Sequence, residues 1–348
     1  MTHALSGALL ARATAPRSAP PRSIPRRVAA GFFACAAPDL DFVIAFIGPV
    51  EYLFHHRGVT HSLLLLPAWA WLLAWVLAKI LREPGGWKAL YGVCALSIGA
   101  HIAGDWITSY GTMVLAPLSN WRAGIGTTFI IDLWFSGIIL AGLLASAVWY
   151  RTRLPAVAAC FALVAYVGLQ AVLKDRAIEF GAQYARSRGL PAAVVAAHPR
   201  PVSPFNWTVF VSDETAHHLA HVNLIRTEPR SYVPGDGFIA RLDSAYLPLA
   251  RARWEVHTRY GWTSETEALA REAWASPALA FFRWFAEQPA FDGTTENAGC
   301  VWFADLRFGN PGRDWVPFRF GACRENPASP WRAYERLDEG GSAALEPR

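Results

Sequence analysis

The sequence predicts an α-helical membrane protein with about five transmembrane helices, followed by a C-terminal soluble α+β domain. Hydrophobic residues make up 53% of the 348 residues and charged residues only 17%, which is apolar for a soluble protein. The apolar residues are concentrated in residues 28–173, whereas residues 174–348 have a mixed composition rich in Arg, Glu, Asp, Trp and Pro. We therefore expect a membrane-embedded domain at residues 1–173 and an accessory domain at residues 174–348.

Several apolar segments approach the length of about 20 residues that a helix needs to cross a bilayer. They are residues 28–50, 63–81, 89–107, 129–150 and 154–173. Pro38 interrupts the first of them, and a proline in the first turn of a restarted helix would break the segment there. An earlier apolar run at residues 3–13 predicts a helix that is too short to span.

Basic residues predict the orientation of these helices. Ten Lys or Arg residues lie in the first 27 residues and in the turns at 79–88 and 151–153, whereas the alternate loops have two, Arg57 and Arg122. Positive residues favour the cytoplasmic side, so we expect these three segments in the cytoplasm and the C-terminal domain in the periplasm. Lys174 and Arg176, just after the last run, oppose this assignment.

The net charge of +5 follows from the same placement of basic residues beside apolar segments. It is therefore explained by membrane orientation, and no nucleic-acid partner is expected. The lipid bilayer is the predicted partner.

The C-terminal domain shows alternating strand-like and helix-like runs between Pro/Gly turns. Runs rich in Val, Phe, Trp and Leu predict strands at residues 205–212, 218–226 and 300–307. A turn is expected at 234–237. Residues 264–275 predict a helix with Ser264 and Glu267 as its capping box, and residues 277–287 predict a second, shorter helix.

The cysteines do not form a zinc knuckle, because the sequence has no CxxC motif. In an oxidising periplasmic compartment, Cys300 and Cys323 could form a disulfide, which their spacing permits but does not determine.

The few ionisable side chains of the apolar half are of the kinds that bind divalent metals. Ionisable groups within membrane spans are costly and mark functional sites. Asp39, His61, His101 and Asp105 are the first-choice ligands, and the next candidates are His3, Asp41 and His56. His101 and Asp105 are four residues apart, so they share one face of a helix. At ~1.5 Å per residue from the nearest basic anchors, the set lies in the membrane half opposite the basic loops.

Residues 55–62, His-His-Arg-Gly-Val-Thr-His-Ser, are the densest part of this set. Gly58 would allow a tight turn that brings His56 and His61 to one centre. Asp41 and His56 are predicted as catalytic groups, either a general base or residues that support the metal ligands. A group of polar side chains here suits an anionic substrate group such as a phosphate, namely Arg57, Thr60 and Ser62.

Structural interpretations are open for several of these residues. Asp41 can cap a helix, and Asp132 can be an acid at a helix N-terminus, favoured by the macrodipole. His55 is expected to be solvated. Three histidines of the C-terminal domain are interpreted as surface or interface residues rather than ligands, namely His217, His218 and His221.

Four motifs together resemble one known family. They are Thr2-His3-Ala4-Leu5-Ser6-Gly7, Pro38-Asp39-Leu40-Asp41, the His-Arg-Gly-Val-Thr-His-Ser run at 56–62, and His101-x3-Asp105 followed by Tyr110-Gly111-Thr112 and Leu115-x-Pro117. In order and spacing they resemble the bacterial LexA-binding, inner-membrane-associated metal-dependent hydrolases over residues 1–140. Tail pieces at 204–207 and 305–308 look like those of longer members. The resemblance implies a multi-span bacterial inner-membrane protein with a divalent metal centre and hydrolase activity. LexA binding follows from no residue of this chain.

The sequence therefore predicts a membrane-bound hydrolase that uses one or two divalent ions, with zinc as the first choice. A divalent cation lowers the pKa of bound water, which is how such sites hydrolyse their substrates. The depth of the site suggests a lipid or phosphoester substrate. Two alternatives stay open: an ion-binding or transport protein that uses the same residues as a relay, and a non-catalytic scaffold whose tail binds a partner.

Overall fold

The structure is a computed structural model that describes residues 1–18, 20, 22–233, 235–295, 299–311, 316–337 and 341–345. Its contacts divide the chain into two compact units. The first consists of Met1–Ile47 and His55–Val172, and the second of Gly48–Phe54 and Leu173–Arg348.

The first unit is helical. Its α-helices, which include one that starts in the second unit and one that continues into it, are α1 (Thr2–Ala13), α2 (Ser23–Ala36), α3 (Pro49–His55), α4 (Leu66–Ile80), α5 (Gly86–Trp106), α6 (Leu133–Val148) and α7 (Leu154–Ser187). Two 3₁₀-helices, at Ala37–Phe46 and Val59–His61, lie between α2 and α4. The first of them has Pro38 in its first turn, so at the predicted interruption of segment 28–50 the α-helix changes to a 3₁₀-helix without a break.

Small side chains form much of the core of this unit. Ala11, Ala30, Ala34, Ala70 and Ala74 are buried together against the middle of α5. Because small residues let helix backbones approach closely, they favour the tight packing typical of helices in membranes.

The prediction of five spans is not supported. Among the described residues, two helices are long and apolar enough to cross a membrane, Ser23–Phe46 and Leu154–Ser187. A bent pair, Pro49–His61 with Leu66–Ile80, raises the number to three if its two arms, 78° apart, count as one span.

The other predicted spans fall short for physical reasons. Helix α6 has 16 residues, which is ~24 Å at 1.5 Å per residue and less than the ~30 Å of a hydrocarbon core. Helix α5 has 21 residues but carries His101 and Asp105 inside it, which makes it more polar than a simple span.

Asp132 caps α6. Its Oδ1 accepts a hydrogen bond from the Phe135 amide at 2.8 Å, and its Oδ2 accepts one from the Tyr166 hydroxyl at 2.7 Å. The interpretation of Asp132 as an acid at a helix N-terminus is therefore confirmed.

The second unit is built around two five-stranded sheets. Its strands are β1 (Val194–Pro199), β2 (Asn206–Ser212), β3 (Ala216–Asn223), β4 (Leu247–Pro248), β5 (Trp254–Thr258), β6 (Pro289–Thr294), β7 (Cys300–Asp305), β8 (Arg319–Cys323), β9 (Arg332–Arg336) and β10 (Ser342–Ala344). Its other helices are α8 (Phe238–Ser244), α9 (Ser264–Ala275) and α10 (Ala280–Phe285), with 3₁₀ turns at Leu249–Arg251, Pro277–Leu279 and Leu306–Phe308. All three predicted strands are present, as β2, β3 and β7.

In the first sheet, β3 lies centrally: it pairs antiparallel with β2 and β5 and parallel with β4, and β1 pairs with β2. The second sheet is an antiparallel meander in the order β10-β9-β8-β7-β6. The C-terminal part of α7 closes one face of the first sheet, where Leu173 and Ala177 pack with Trp207, Val209 and Val222.

Two predictions about the second unit need correction. The capping box of α9 is formed by Thr263 and Thr266, not by Ser264 and Glu267, because Thr263 has the extended backbone of a cap residue and exchanges hydrogen bonds with Thr266. His217 is not a surface residue: it is 2% exposed, and its ring contacts the Ser212 hydroxyl and the Pro289 carbonyl at 2.8 Å each. The expected turn at 234–237 includes Pro234, which lies outside the described residues.

A disulfide joins Cys300 and Cys323. The two residues face each other across the β7–β8 pair, so the pairing that the sequence permitted is present in the structure.

Candidate metal centre

Four predicted ligands from three separate elements meet at one point. Asp39 lies on the 3₁₀-helix Ala37–Phe46, His61 ends the short 3₁₀-helix, and His101 and Asp105 lie one turn apart on α5. One ligand atom of each lies within 4.8 Å of all the others. The side chains of His61, His101 and Asp105 are completely buried, whereas that of Asp39 is 44% exposed. The cluster is therefore shielded from solvent at His61, His101 and Asp105 and accessible at Asp39.

The ring orientation of His101 is fixed by the backbone. Its Nδ1 donates a hydrogen bond to the Cys35 carbonyl at 2.6 Å. A carbonyl can only accept, so Nδ1 carries the proton, and in the neutral ring the lone pair is on Nε2.

The ring of His61 is fixed in the same sense by side chains. The Thr60 hydroxyl donates to Asp41 Oδ2 at 2.9 Å, so it accepts from His61 Nδ1, which lies 2.9 Å away. The same Nδ1 lies 3.4 Å from Asp41 Oδ2. The neutral ring therefore carries its lone pair on Nε2 as well.

These two lone pairs face each other. The Nε2 atoms of His61 and His101 are 2.9 Å apart, and Asp105 Oδ2 lies 3.0 Å from the first and 3.5 Å from the second. Asp39 Oδ1 completes the group at 3.6 Å from His101 Nε2. With both rings neutral, such a set of buried acceptors repels itself, and either a cation or a proton on one Nε2 relieves the repulsion. Two imidazoles and two carboxylates are a donor set that suits zinc and similar divalent ions.

The second oxygen of Asp105 has its own partners. Arg57 Nη2 lies 2.9 Å and His3 Nε2 3.1 Å from Oδ1. Arg57 is itself held by the Thr108 hydroxyl, which accepts from Nη1 at 3.0 Å. A positive guanidinium thus occupies the side of Asp105 that faces away from His61 and His101.

His3 reaches this point because α1 packs closely on α5. Its ring lies 4.1 Å from that of His101, centroid to centroid. A Cβ on Gly104 would lie 3.0 Å from the His3 ring, so the glycine makes room for it. The structure therefore places His3 beside the cluster, in contact with the ligand Asp105.

Asp41 and His56 lie behind His61. His56 Nδ1 donates to Asp41 Oδ1 at 2.7 Å, and the Arg57 amide donates to Asp41 Oδ2 at 2.9 Å. With the Thr60 hydroxyl, these bonds engage both oxygens of Asp41. In a 3₁₀-helix, with three residues per turn, Asp39 and Asp41 point in different directions, which explains why only Asp39 joins the cluster.

The turn at residues 55–58 differs from the expected one in its detail. The positive φ falls on Arg57, at 59°, and not on Gly58. Gly58 is required for another reason, because a Cβ there would lie 2.7 Å from the His55 carbonyl oxygen. The close approach folds the chain so that both His56 and His61 face Asp41.

The residues predicted for substrate binding are placed differently from one another. Arg57 and Thr60 contact the cluster as described. The Ser62 hydroxyl instead donates to the Ala116 carbonyl and accepts from the Leu64 and Leu65 amides, so it organises the start of α4.

Two features of the site were missed by sequence reasoning. The Cys35 carbonyl is a backbone group and leaves no trace in the residue types. Thr108 lies three residues after Asp105 and could have been found as a polar residue one helical turn further on. It links Arg57 to the end of α5, because its hydroxyl also donates to the Asp105 carbonyl at 2.7 Å.

Fold and cluster together define the class of this protein: a helical membrane protein with a buried His/Asp centre and a second unit of two β-sheets. The chain belongs to the YdjM inner membrane protein family, whose model matches residues 1–177. This confirms the inner-membrane part of the resemblance; hydrolase activity stays a prediction.

Individual relatives support the same assignment. The inner membrane protein YdjM of Escherichia coli K12 is 36% identical over 107 residues, which cover 27% of this chain and 50% of that protein. The uncharacterized protein YfhP of Bacillus subtilis 168 is 26% identical over 121 residues, 35% of this chain and 36% of that protein. The matched regions thus span half or less of these relatives. No solved structure matches the chain.

Proposed function

We propose that this protein is a membrane-embedded hydrolase that uses one divalent cation, with zinc as the first choice, held by Asp39, His61, His101 and Asp105. The observation that carries the proposal is the 2.9 Å distance between the Nε2 atoms of His61 and His101. In their neutral form both rings direct an unprotonated nitrogen at the same place, and Asp105 Oδ2 points there too. A buried cation satisfies all three atoms at once.

One ion fits better than two. A second ion would need the free oxygen of Asp105, but Arg57 Nη2 and His3 Nε2 already contact it at 2.9 and 3.1 Å. The fixed charge of Arg57 therefore takes the place that a second cation would occupy. His3 in this proposal supports Asp105 instead of binding the ion directly.

The arrangement suits catalysis better than a purely structural role. Structural zinc sites are closed by four protein ligands, whereas catalytic sites have three and an open position. His61, His101 and Asp105 provide three buried ligands. Asp39 is the most distant and most exposed member, so it is the ligand that water or substrate can displace. When bound, the cation supplies Lewis acidity, which polarises a scissile bond and makes water a better nucleophile.

The supporting residues keep the ligands in place. Asp41, His56 and Thr60 hold the Nδ1 side of His61, and the Cys35 carbonyl holds that of His101. Such outer contacts fix ring orientation and raise ligand basicity. We therefore assign Asp41 and His56 a positioning role, since both oxygens of Asp41 are engaged.

We place the second unit in the periplasm. The Cys300–Cys323 disulfide supports this, because structural disulfides persist in oxidising compartments. The basic residues of the first 27 positions and of the two turns support the same orientation.

The test is the metal content of the full chain purified in detergent. We expect close to one zinc per chain, and we expect His101→Ala and Asp105→Asn each to lose most of it. His55→Ala and Asp132→Asn are matched controls, since His55 is exposed and Asp132 caps α6; both should keep the metal.

Activity is tested on the same samples with p-nitrophenyl phosphate, before and after chelation and zinc return. Phosphate release that follows the metal content supports the hydrolase. Full metal retention in His101→Ala with Asp105→Asn would refute the site. A metal-loaded chain that hydrolyses nothing but carries zinc flux into liposomes would favour the transporter instead.

A further inference from the structure

The accessible side of the candidate metal centre lies on an element with exposed apolar side chains. The 3₁₀-helix Ala37–Phe46 carries Asp39, and its other outward side chains are large and apolar. Leu40 is 63% exposed, Phe42 and Val43 51% each, and Phe46 85%.

The three-residue period of this helix sorts its side chains into three rows. One row, formed by Pro38, Asp41 and Ile44, faces inward. The other two rows point outward, and Asp39 begins one of them, followed by Phe42 and Ala45.

The neighbouring outward row is formed by Leu40, Val43 and Phe46. At ~2.0 Å per residue, the two rows extend for about 14 Å away from Asp39. Asp39, the accessible member of the cluster, is therefore followed along the helix by two outward rows of apolar side chains.

We expect lipid around this surface. The segment Ser23–Phe46 is one of the candidate membrane spans, and the chain belongs to an inner-membrane family. Exposed apolar side chains at membrane depth contact hydrocarbon. A molecule that reaches Asp39 along this helix must itself be partly apolar.

We infer that the substrate is a lipid that carries a phosphoryl headgroup and enters sideways from the bilayer. Its headgroup lies at Asp39 and the buried ligands, and its hydrocarbon chain lies against the exposed apolar side chains beside them, Leu40 and Phe42. The phosphoryl group is the headgroup whose hard oxygens suit a divalent cation. This inference rests on the proposed function for the headgroup, but the route of entry rests on exposure alone.

The route is tested without any metal or activity. A nitroxide is attached to Phe46→Cys in the full chain in lipid nanodiscs, and collisions with oxygen and with a water-soluble nickel chelate are compared. Trp262→Cys, at a residue of the second unit that is 71% exposed, is the aqueous control. We expect oxygen to dominate at residue 46 and nickel at residue 262. Nickel access at residue 46 like that of the control overturns the inference.

The ligand class is tested with Mn²⁺ as a paramagnetic substitute for the cation. We expect Mn²⁺ on the full chain to broaden the ³¹P signal of phosphatidic acid in the nanodisc far more than that of glycerol 3-phosphate in solution. Phe42→Ser should weaken the broadening of the phosphatidic acid signal about tenfold, as expected when one aromatic contact with a hydrocarbon chain is lost. The same variant should leave Mn²⁺ binding unchanged.

The outcomes separate the two proposals. Broadening of the soluble phosphate alone, or of the lipid equally in Phe42→Ser, overturns this inference and leaves the proposed function in place. No Mn²⁺ on the native chain, with the same result for zinc, overturns the proposed function and this inference with it.

Discussion

Gly7 of α1 and Gly31 of α2 touch backbone to backbone. A Cβ added to Gly7 would lie 2.1 Å from the Gly31 carbonyl oxygen, and one added to Gly31 would lie 2.5 Å from the Gly7 carbonyl oxygen. This contact brings the start of α1 to the end of α2, and so places His3 and Asp39 on the same side of the unit as α5. The geometry of the His/Asp cluster thus depends on two glycines, which have no side-chain polar atoms.

We predict that Gly31→Val separates α1 from α2 and lowers both stability and metal content. Forced overpacking costs about 1–3 kcal/mol or more when backbone blocks the new atoms, and here the nearest atom is a carbonyl oxygen. The measurement is thermal unfolding in detergent, with zinc content of the surviving folded fraction. Gly137→Ala is the matched control, since a Cβ there meets nothing within 4 Å and should improve helix propensity. Equal melting of Gly31→Val and the native chain would contradict the contact.

The disulfide is expected to stabilise the second unit. It closes a loop with a sequence separation of 23, for which loss of chain entropy in the unfolded state predicts about 3 kcal/mol. Replacing both Cys300 and Cys323 by Ser should therefore increase hydrogen exchange throughout β7 and β8. Cys160→Ala, which removes a thiol from α7, should not.

The oxidation state has its own measurement. Alkylation of the full chain without reductant, followed by mass spectrometry, should leave Cys300 and Cys323 unlabelled. Labelling of both in freshly isolated membranes would exclude the bond in the cell.

Low pH is expected to destabilise the second unit. Burial lowers the pKa of His198 and His217, and it lowers that of His221 to about 3, with the nearby Arg200 as a further cause. A histidine whose folded pKa lies below the unfolded value of 6.5 binds fewer protons when folded. Unfolding therefore becomes easier as pH falls below 6.5, by up to about 1.4 kcal/mol per pH unit for each such histidine, and for His221 this continues towards pH 3. Above pH 7.5 these histidines do not change the stability.

His221→Gln isolates one of these groups. The glutamine oxygen can accept from the Thr208 hydroxyl, as His221 Nδ1 does at 2.8 Å, but it does not titrate. Hydrogen exchange of β2 peptides at pH 7.5, 6 and 5 should show a smaller dependence on pH in the variant. An unchanged dependence, or slower exchange at pH 5 than at pH 7.5, would count against the buried neutral ring.

The sequence predicted the His/Asp cluster better than the spans. Asp39, His61, His101 and Asp105 were found because charged groups in apolar runs need partners, which holds whatever the exact helix geometry. The predicted number of spans is not supported, because a run of apolar residues does not show where a helix bends. Residues 49–80 form two helical arms at 78°, with the break between His61 and Leu66.

The remaining errors come from tertiary contacts that have no local signature. His217 lies on a strand with partial alternation, and only the contact with the Pro289 carbonyl from the other sheet makes it a core residue. The capping box was predicted one position too late for a similar reason, because a contact with a neighbouring residue decides it. Gly261, at a φ of 103°, approaches Thr266 so closely that its Cβ would lie 2.6 Å from the Thr266 hydroxyl, which favours Thr263 as the cap.

The topology decides which compartment supplies the substrate. The pattern of basic residues distinguishes a chain with two membrane crossings from one with three. If only Ser23–Phe46 and Leu154–Ser187 cross, the basic turn at 79–88 lies on the side opposite the N-terminus. If the bent pair also crosses, both basic turns share the side of the N-terminus, as the positive-inside rule requires. We therefore predict three crossings, with residue 84 in the cytoplasm and residue 189 in the periplasm. Fusions after each position to alkaline phosphatase, active only when exported, and to β-galactosidase, active only in the cytoplasm, measure this directly. Phosphatase activity at both positions would leave 79–88 outside and contradict the charge argument, whereas cytoplasmic activity at residue 189 would remove the oxidising environment that the disulfide needs.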